Sequence, residues 1–318
     1  MKRRLDALRQ AAGAAVVDNF FRSISRVGRL HPRADPRRHE VTVQRDLAYT
    51  TSGLPEHRLD VYIPRGSPPF PTVLYLHGGG FRILSKDTHW LMGLAFARQG
   101  YLVFNASYRL APRHPFPAAL EDASRALRWV LERGPSLGAD PGRLVFAGES
   151  AGANLSASLA LTTAYERPEA FAREVYATGV TPRAVVASCG MFQVSDPGRL
   201  GRRRRLPWWL ADRIKEVSLA YLGDPLRAED LADPVSVLER GERPSRPLAP
   251  FFLPVGTRDP LLDDTRRMAR ALEALEVPCE ARYYTGEVHA FHAFVWRENA
   301  KRCWEDTFTF LARHVPNP

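Results

Sequence analysis

Short apolar runs alternate with helix-like stripes over most of the chain. From residue 72 onward, five continuously apolar segments have the composition of strands that are buried on both faces. Between them, apolar side chains recur at helical spacing, as at Leu120, Ala123 and Leu127, which is typical of one buried stripe of a helix. This alternation predicts an α/β fold with a mostly parallel central sheet flanked by helices. The predicted strands are Thr72–Leu76, Tyr101–Phe104, Leu144–Ala147, Ala184–Ala187 and Phe251–Val255.

Two stretches of the chain depart from this alternation. Apolar residues at helical spacing begin the chain, so we predict a helical N-terminal segment over residues 1–38. Residues 192–247 combine a basic run, two adjacent tryptophans and several prolines, which indicates an insertion over the sheet. The segments Val41–Leu47 and His57–Ile63 alternate in polarity and predict edge strands. The main α/β domain is therefore predicted at residues 39–191 and 248–318.

Composition excludes several classes of protein. With 318 residues, of which 45% are hydrophobic, the chain can bury a large core and is neither disordered nor collagen-like. Its three cysteines, an odd number without metal-ligand spacing, indicate buried thiols in a reducing compartment. Neither a membrane span nor a clean signal peptide is evident, so we expect a cytoplasmic protein without stable membrane association.

The chain is basic, with a net charge of +10 from 45 lysines and arginines against 35 acidic residues. The excess is almost wholly arginine and is scattered, apart from the run Arg202–Arg205. A solvated loop face explains this run better than a polyanion site, because no RNA-binding or helix-turn-helix pattern accompanies it. We therefore expect no nucleic-acid partner, whereas assembly into a homo-oligomer stays open.

A sharp strand-to-helix turn is predicted around Ser150. The sequence GESAG at residues 148–152 matches G-x-S-x-G and lies between a predicted strand and a helix-compatible run at 154–163. Such a turn exposes the serine hydroxyl, and the helix N-terminus favours developing negative charge. This context predicts that Ser150 is a catalytic nucleophile.

A glycine-rich sequence, HGGGF at residues 77–81, directly follows the predicted strand that ends at Leu76. Acyl transfer creates negative charge on the former carbonyl oxygen, and preorganised backbone N–H groups stabilise it. A loop at this place beside the serine turn is typical of an oxyanion hole. The predicted donors are the N–H groups of Gly78, Gly79 and Ala151.

A serine hydroxyl is a weak nucleophile and needs a base, together with a group that orients the base. Asp259 and His289 each follow a strand-like segment, and the carboxyl ends of parallel strands are where such sites assemble. The order Ser, Asp, His along the chain is that of α/β-hydrolases. Asp263 and Asp264 suit a helix cap instead, and the competing base His292 is expected to pack against the site.

Five motifs, in order along roughly residues 40–315, resemble the bacterial hormone-sensitive-lipase-like esterase family. Members of that family are α/β-hydrolases, and the resemblance implies a cap built from residues 1–38 and 192–247. Two positions depart from the family pattern, since Glu149 stands where Asp is usual and Ala153 where a second Gly is usual. The motifs are HGGGF at 77–81, YRLAP and HPFPAALEDA between 108 and 123, GESAGAN at 148–154, DPL at 259–261 and VHAF at 288–291.

The resemblance and the predicted triad together imply a serine carboxylester hydrolase for short- to medium-chain acyl esters, acting through an acyl-enzyme. Phe81, Trp208 and Trp209 are expected to bind the substrate beneath the cap. The predicted partner is a small-molecule ester, and no cofactor or metal ion is expected. An amidase, a lactone or carbamate hydrolase, and a non-catalytic ligand receptor on the same fold stay open as alternatives.

Overall fold

One mixed sheet forms the centre of the protein. The computed structural model describes residues 18–19, 23, 25–203, 206–223 and 230–315. The strands of the sheet are β1 (Thr42–Ala48), β2 (Arg58–Ile63), β3 (Phe70–Leu76), β4 (Leu102–Ala106), β5 (Ala139–Glu149), β6 (Ala184–Ser188), β7 (Phe251–Gly256) and β8 (Cys279–Tyr284). Their spatial order is β1-β2-β4-β3-β5-β6-β7-β8, and all pairs are parallel except β1 with β2 and β2 with β4. The mostly parallel α/β sheet is thereby confirmed.

Helices cover both faces of this sheet. They are α1 (Trp90–Ala97), α2 (Ala118–Arg133), α3 (Ala151–Ala164), α4 (Ala170–Ala177), α5 (Arg199–Arg203), α6 (Trp208–Leu222), α7 (Pro234–Glu239), α8 (Leu262–Ala274) and α9 (Glu298–His314). Leu74 and Leu76 of β3 belong to the core cluster that includes residues of α2, α3 and α8. Val73 and Tyr75 of the same strand belong to the cluster with α1 and α9. Because neighbouring strand residues point to opposite faces, every residue of this strand is buried.

The prediction of two edge strands is wrong for one of them. β1 lies at the edge, but β2 lies between β1 and β4. Its polar residue Asp60 is fully buried, and the Asp60 carboxylate lies 2.9 Å from the Lys86 ammonium. The alternating polarity that predicted an edge strand here therefore includes an aspartate that belongs to a buried ion pair.

The segment predicted as an insertion has two parts that pack differently. The first part contains α6, which contacts the glycine loop after β3, as described below. The second part packs against α3 of the main domain, where Ser158 Oγ donates to the Leu231 carbonyl at 2.7 Å and Asn154 Nδ2 donates to the Ala232 carbonyl at 2.9 Å. The bounds 192–247 for a separate cap stay a prediction.

The predicted N-terminal helical stripe lies largely outside the described residues. Where the segment is described, it reaches the loop beyond the glycine motif, since Asp18 accepts a hydrogen bond from the Leu84 N–H at 3.0 Å. Arg29 donates to the Asp87 carbonyl at 2.6 Å. Within the described parts of the chain, no helix combines the length and apolarity that crossing a membrane requires.

Candidate active site

The turn from β5 to α3 places Ser150 in a strained backbone conformation. Its φ and ψ are 56° and −114°, a region that residues other than glycine rarely occupy. The turn packs tightly on β3, because a Cβ atom at Gly152 would lie only 2.0 Å from the Leu76 carbonyl oxygen. Only glycine fits there, so the glycine of the motif is required by this close approach of two backbones.

Asp259 and His289 are in direct contact. The Nδ1 atom of His289 lies 2.8 Å from Asp259 Oδ2, and the Asp259 side chain is fully buried. The second carboxylate oxygen accepts the Leu261 N–H at 2.8 Å, which fixes the orientation of the carboxylate. The structure thus brings together the predicted base and the predicted orienting group.

The loops that carry these two residues are joined by backbone hydrogen bonds. The Arg258 N–H donates to the Glu287 carbonyl at 2.9 Å, and the Gly286 N–H donates to the Thr257 hydroxyl at 2.9 Å. A Cβ atom at Gly256 would lie 2.3 Å from the Glu287 carbonyl oxygen. The aspartate and histidine loops therefore form one rigid unit beyond the ends of β7 and β8.

The electrostatics of the pair favour a charged histidine. Burial disfavours the imidazolium, but the Asp259 carboxylate and the neighbouring Cys189 side chain together hold the pKa of His289 well above its ordinary value of 6.5. A carboxylate in this position also stabilises the imidazolium that forms when histidine accepts a proton.

A thiol lies beside the aspartate and histidine. Ligand atoms of Cys189, Asp259 and His289 all lie within 4.8 Å of one another, which makes them the one group among the described residues suited to a metal ion. Burial raises the pKa of the Cys189 thiol. Because His289 Nδ1 is engaged with Asp259, a metal ion at that nitrogen would have to replace this hydrogen bond.

The predicted oxyanion donors need one correction. The Gly78 N–H donates to Glu149 Oε1 at 2.9 Å, and this bond removes Gly78 from the available donors. Neither Gly79 nor Gly80 donates its N–H to any other described residue. Ala151 is the first residue of α3, where the backbone N–H has no partner within the helix. In the described structure, the N–H groups of Gly79, Gly80 and Ala151 thus have no protein acceptor, and oxyanion binding by Gly79 and Ala151 stays a prediction.

The three aromatic residues predicted to bind substrate differ in burial, and their role in binding stays a prediction. Phe81 is completely buried, because its ring stacks on Tyr221 of α6 with ring centres 3.7 Å apart. Trp208 and Trp209 are 71% and 55% exposed in the first turn of α6. Phe81 thus joins α6 to the glycine loop, and the tryptophans do not bury apolar surface over the site.

Helix α6 contacts the glycine loop at three successive positions. Val217 Cγ2 lies 2.9 Å from the place that a Cβ atom at Gly80 would occupy. Phe81 stacks on Tyr221, and Arg82 forms a salt bridge with Glu216 in which both side chains are largely buried. A cap from residues 192–247 over the site was predicted, but these individual contacts of α6 were not, since they join residues far apart in sequence.

Glu149 has a cluster of polar partners that motif analysis did not predict. The Tyr75 hydroxyl donates to Oε2, and His89 Nε2 lies 2.5 Å from Oε1. His292, expected to pack against the site, lies with Nε2 3.8 Å from Oε2. The acidic residue in the GESAG motif was the only signal for this cluster, because Tyr75 and His89 stand in no motif with it.

A serine on a strand-to-helix turn, with a linked aspartate and histidine on later loops, defines an α/β-hydrolase type of site. Residues 73–293 match the family model described as the alpha/beta hydrolase fold, and the chain belongs to that family.

Curated relatives carry esterase names. The chain is 33% identical over 237 residues to Esterase LipI of Mycobacterium tuberculosis, a match that covers 70% of this chain and 65% of LipI. It is 33% identical over 226 residues to Carboxylesterase NlhH of the same species, covering 70% of this chain and 67% of NlhH. The chain thus matches about two thirds of the length of these relatives.

Solved structures share the fold. A crystal structure of an esterase from the bacterial hormone-sensitive lipase family is similar with a TM-score of 0.69 and 24% identity, covering 93% of this chain and 97% of that one. The resemblance that the five motifs indicated is confirmed by these relatives.

Proposed function

We propose that the protein is a serine carboxylester hydrolase. The observation that carries this proposal is the hydrogen bond between His289 and the buried Asp259, on a fold that presents Ser150 at a strained turn. The esterase names of the relatives support the same reaction class. The paired Asp259 and His289 argue against a silent ligand receptor, because binding alone does not require a base and its orienting carboxylate.

In the proposed mechanism, His289 takes the proton of the Ser150 hydroxyl as its oxygen attacks the ester carbonyl carbon. The N–H groups of Gly79, Gly80 and Ala151 stabilise the resulting oxyanion. His289 then passes the proton to the departing alcohol oxygen, which leaves an acyl-enzyme. Water repeats the cycle on the acyl group, releases the acid and restores the Ser150 hydroxyl.

The proposed substrates are soluble esters with short to medium acyl chains, such as butyrate to hexanoate. Val217 lies against Gly80, so α6 limits the space beside the proposed oxyanion donors. A bounded apolar pocket gains about 0.8 kcal/mol per buried methylene until it is full, after which overpacking costs about 1 to 3 kcal/mol. Rates should therefore rise through short acyl chains and then fall.

The test is a panel of p-nitrophenyl esters from acetate to palmitate, with matched amides and lactones. We expect metal-independent ester hydrolysis that peaks at butyrate to hexanoate, and loss of nearly all activity in Ser150→Ala with an unchanged thermal melt. Full activity in that variant would refute the proposed reaction. A preference for amides, or for emulsified long-chain lipid, would refute the proposed substrate class alone.

A further inference from the structure

A second serine lies next to a histidine outside the candidate active site, on the loop that joins β1 to β2. Ser52 Oγ lies 2.5 Å from His57 Nδ1, and Ser52 is exposed while the His57 side chain is only 7% exposed. On the far side of the ring, His57 Nε2 lies 3.0 Å from Oδ1 of the fully buried Asp122 carboxylate. A hydroxyl, an imidazole and a carboxylate therefore stand in the order that makes a serine nucleophilic.

The Asp122 carboxylate is held in place by two arginines. Arg109 donates to both of its oxygens, and Arg125 donates to Oδ1 at 2.7 Å. Glu121 accepts a further bond from Arg109 at 2.9 Å, so two carboxylates match the two guanidinium charges. The contact of Asp122 with His57 Nε2 has the distance of an ion pair but not the alignment of a hydrogen bond. The carboxylate therefore acts on the ring by its charge, which favours the imidazolium that forms when Nδ1 accepts a proton.

The hydrogens of this group leave Nδ1 as the base beside the serine. Two lone pairs would repel each other at 3.0 Å, so Nε2, which faces the carboxylate, carries a hydrogen. In the neutral ring, Nδ1 of His57 then has a lone pair that accepts the hydrogen of the Ser52 hydroxyl. Thr50 Oγ1 lies 3.0 Å from the same nitrogen, but it is farther away than Ser52 Oγ and less exposed. Ser52 is therefore the hydroxyl that an external reagent can reach.

The surroundings of Ser52 limit which reagents can react with it. The backbone N–H of the next residue, Gly53, donates to no other described residue, so it can bind a developing oxyanion. A donor on an exposed loop stabilises that charge less than several donors in a buried site do, because water screens the interaction. The acyl donor must therefore bring a good leaving group, such as a phenolate, and alkyl esters should not react.

We propose that Ser52, with His57 as its base, is a second acyl-accepting site for small aryl esters and acts independently of Ser150. Ser52 Oγ bonds to the ester carbonyl carbon while its proton passes to His57 Nδ1. The bond from that carbon to the phenolate oxygen breaks, the phenolate leaves with the electron pair, and His57 releases the proton to solvent. Weak oxyanion stabilisation also slows the attack of water on the new ester, so acylated Ser52 accumulates instead of turning over.

The test is acylation of the full-length Ser150→Ala variant, which lacks the proposed main nucleophile. The protein is incubated with p-nitrophenyl acetate in a mildly alkaline buffer, quenched with acid and analysed as peptides by mass spectrometry. We expect Ser52 to be acetylated at least about tenfold faster than Ser136, an exposed serine whose hydroxyl donates to the Arg133 carbonyl instead of a histidine. Adding His57→Gln removes the base but keeps a polar side chain, and the Ser52 rate should then fall to within about twofold of the Ser136 rate.

Several outcomes would overturn the inference. These are equal acetylation of Ser52 and Ser136, faster acetylation of Thr50 than of Ser52, and a Ser52 rate that His57→Gln leaves unchanged. If His57→Gln does not fold, the Ser150→Ala variant in concentrated urea decides. There the preference for Ser52 over Ser136 should disappear, because hydroxyl and base separate, and a preference that persists contradicts the inference. Since every arm lacks the Ser150 hydroxyl, none of these results depends on the proposed esterase function.

Discussion

The turn between β5 and α3 and the helix α6 both contact the glycine loop, but they do so in different ways. The turn contacts it mainly through backbone, since a Cβ atom at Gly152 would lie 2.6 Å from the His77 carbonyl oxygen, and the one side chain involved, Glu149, accepts the Gly78 backbone N–H. Helix α6 contacts it through side chains, including the stacked ring of Tyr221. Backbone contacts fix positions closely and tolerate no added atoms, whereas side-chain contacts can change while the backbone stays in place.

This difference suggests a division of roles. The turn fixes the reacting groups, and α6 sets the space available to the substrate. We therefore expect substitutions in the turn to abolish activity and substitutions in α6 to change it by degrees.

The largest effect on stability and activity together is expected for Gly152→Ala in the turn. The new Cβ would lie 2.0 Å from the Leu76 carbonyl oxygen, so the two backbones must separate. We expect a loss of about 3 kcal/mol or more in the free energy of unfolding, and at least a hundredfold loss of esterase activity. Chemical denaturation and an ester assay measure both. Gly201→Ala, where a Cβ meets nothing within 4 Å, is the control and should be near neutral.

The next effect concerns pH and the Asp259 carboxylate. His289 must be neutral to accept a proton, and its pKa is raised, so kcat/KM should fall as pH drops through a value above 6.5. Asp259→Asn removes the larger of the two influences that raise the His289 pKa, so this pKa should fall. We expect activity to fall about 10³- to 10⁴-fold. The residual kcat/KM should begin to decline at a lower pH than in the parent protein. A decline at the same pH in the variant and the parent protein would show that Asp259 does not control the pKa of His289.

An intermediate effect is expected in α6 for Glu216→Gln. The change leaves the largely buried Arg82 without its charged partner beside the glycine loop. We expect a drop in melting temperature and about a tenfold loss in kcat for short esters, with Ser150 still reactive toward a phosphonate. Asp212→Asn, an exposed acid on the same helix, is the control. Equal behaviour of the two variants would show that α6 does not support the loop.

The smallest effect is expected for Trp208→Ala and Trp209→Ala. Both side chains are largely exposed, so stability should change by less than about 0.5 kcal/mol and butyrate hydrolysis by less than about twofold. Michaelis constants across the ester panel provide the check. A tenfold rise in KM with either variant would restore these tryptophans as substrate-binding residues.

The residues that could be predicted from sequence are those that short motifs specify. Ser150 lies in the G-x-S-x-G pattern, whose glycines allow a sharp turn and close approach of backbones. Asp259 and His289 each follow a predicted strand, and the carboxyl ends of parallel strands meet at one edge of the sheet. Contacts between distant segments could not be predicted in this way. His89 approaches Glu149 only because the loop before α1 packs against the end of β5, and the bond that occupies Gly78 depends on the same approach.

The polarity pattern misled where a charge is buried. Asp60 gives β2 the alternating polarity that predicted an edge strand. Its partner Lys86 lies in another segment of the chain, and both members of this ion pair are buried. Aromatic side chains also differ in environment in a way that sequence does not reveal, since Phe81 is buried against Tyr221 and the paired tryptophans are largely exposed.

The proposed mechanism requires that Ser150 forms an acyl-enzyme with the acid portion of the ester. The direct measurement is mass spectrometry of peptides after acid quenching during turnover of p-nitrophenyl butyrate. We predict one butyryl group on the peptide that contains Ser150, and none on that peptide from Ser150→Ala. A butyryl group on another residue, or hydrolysis at full rate with no acylated peptide, would contradict the account.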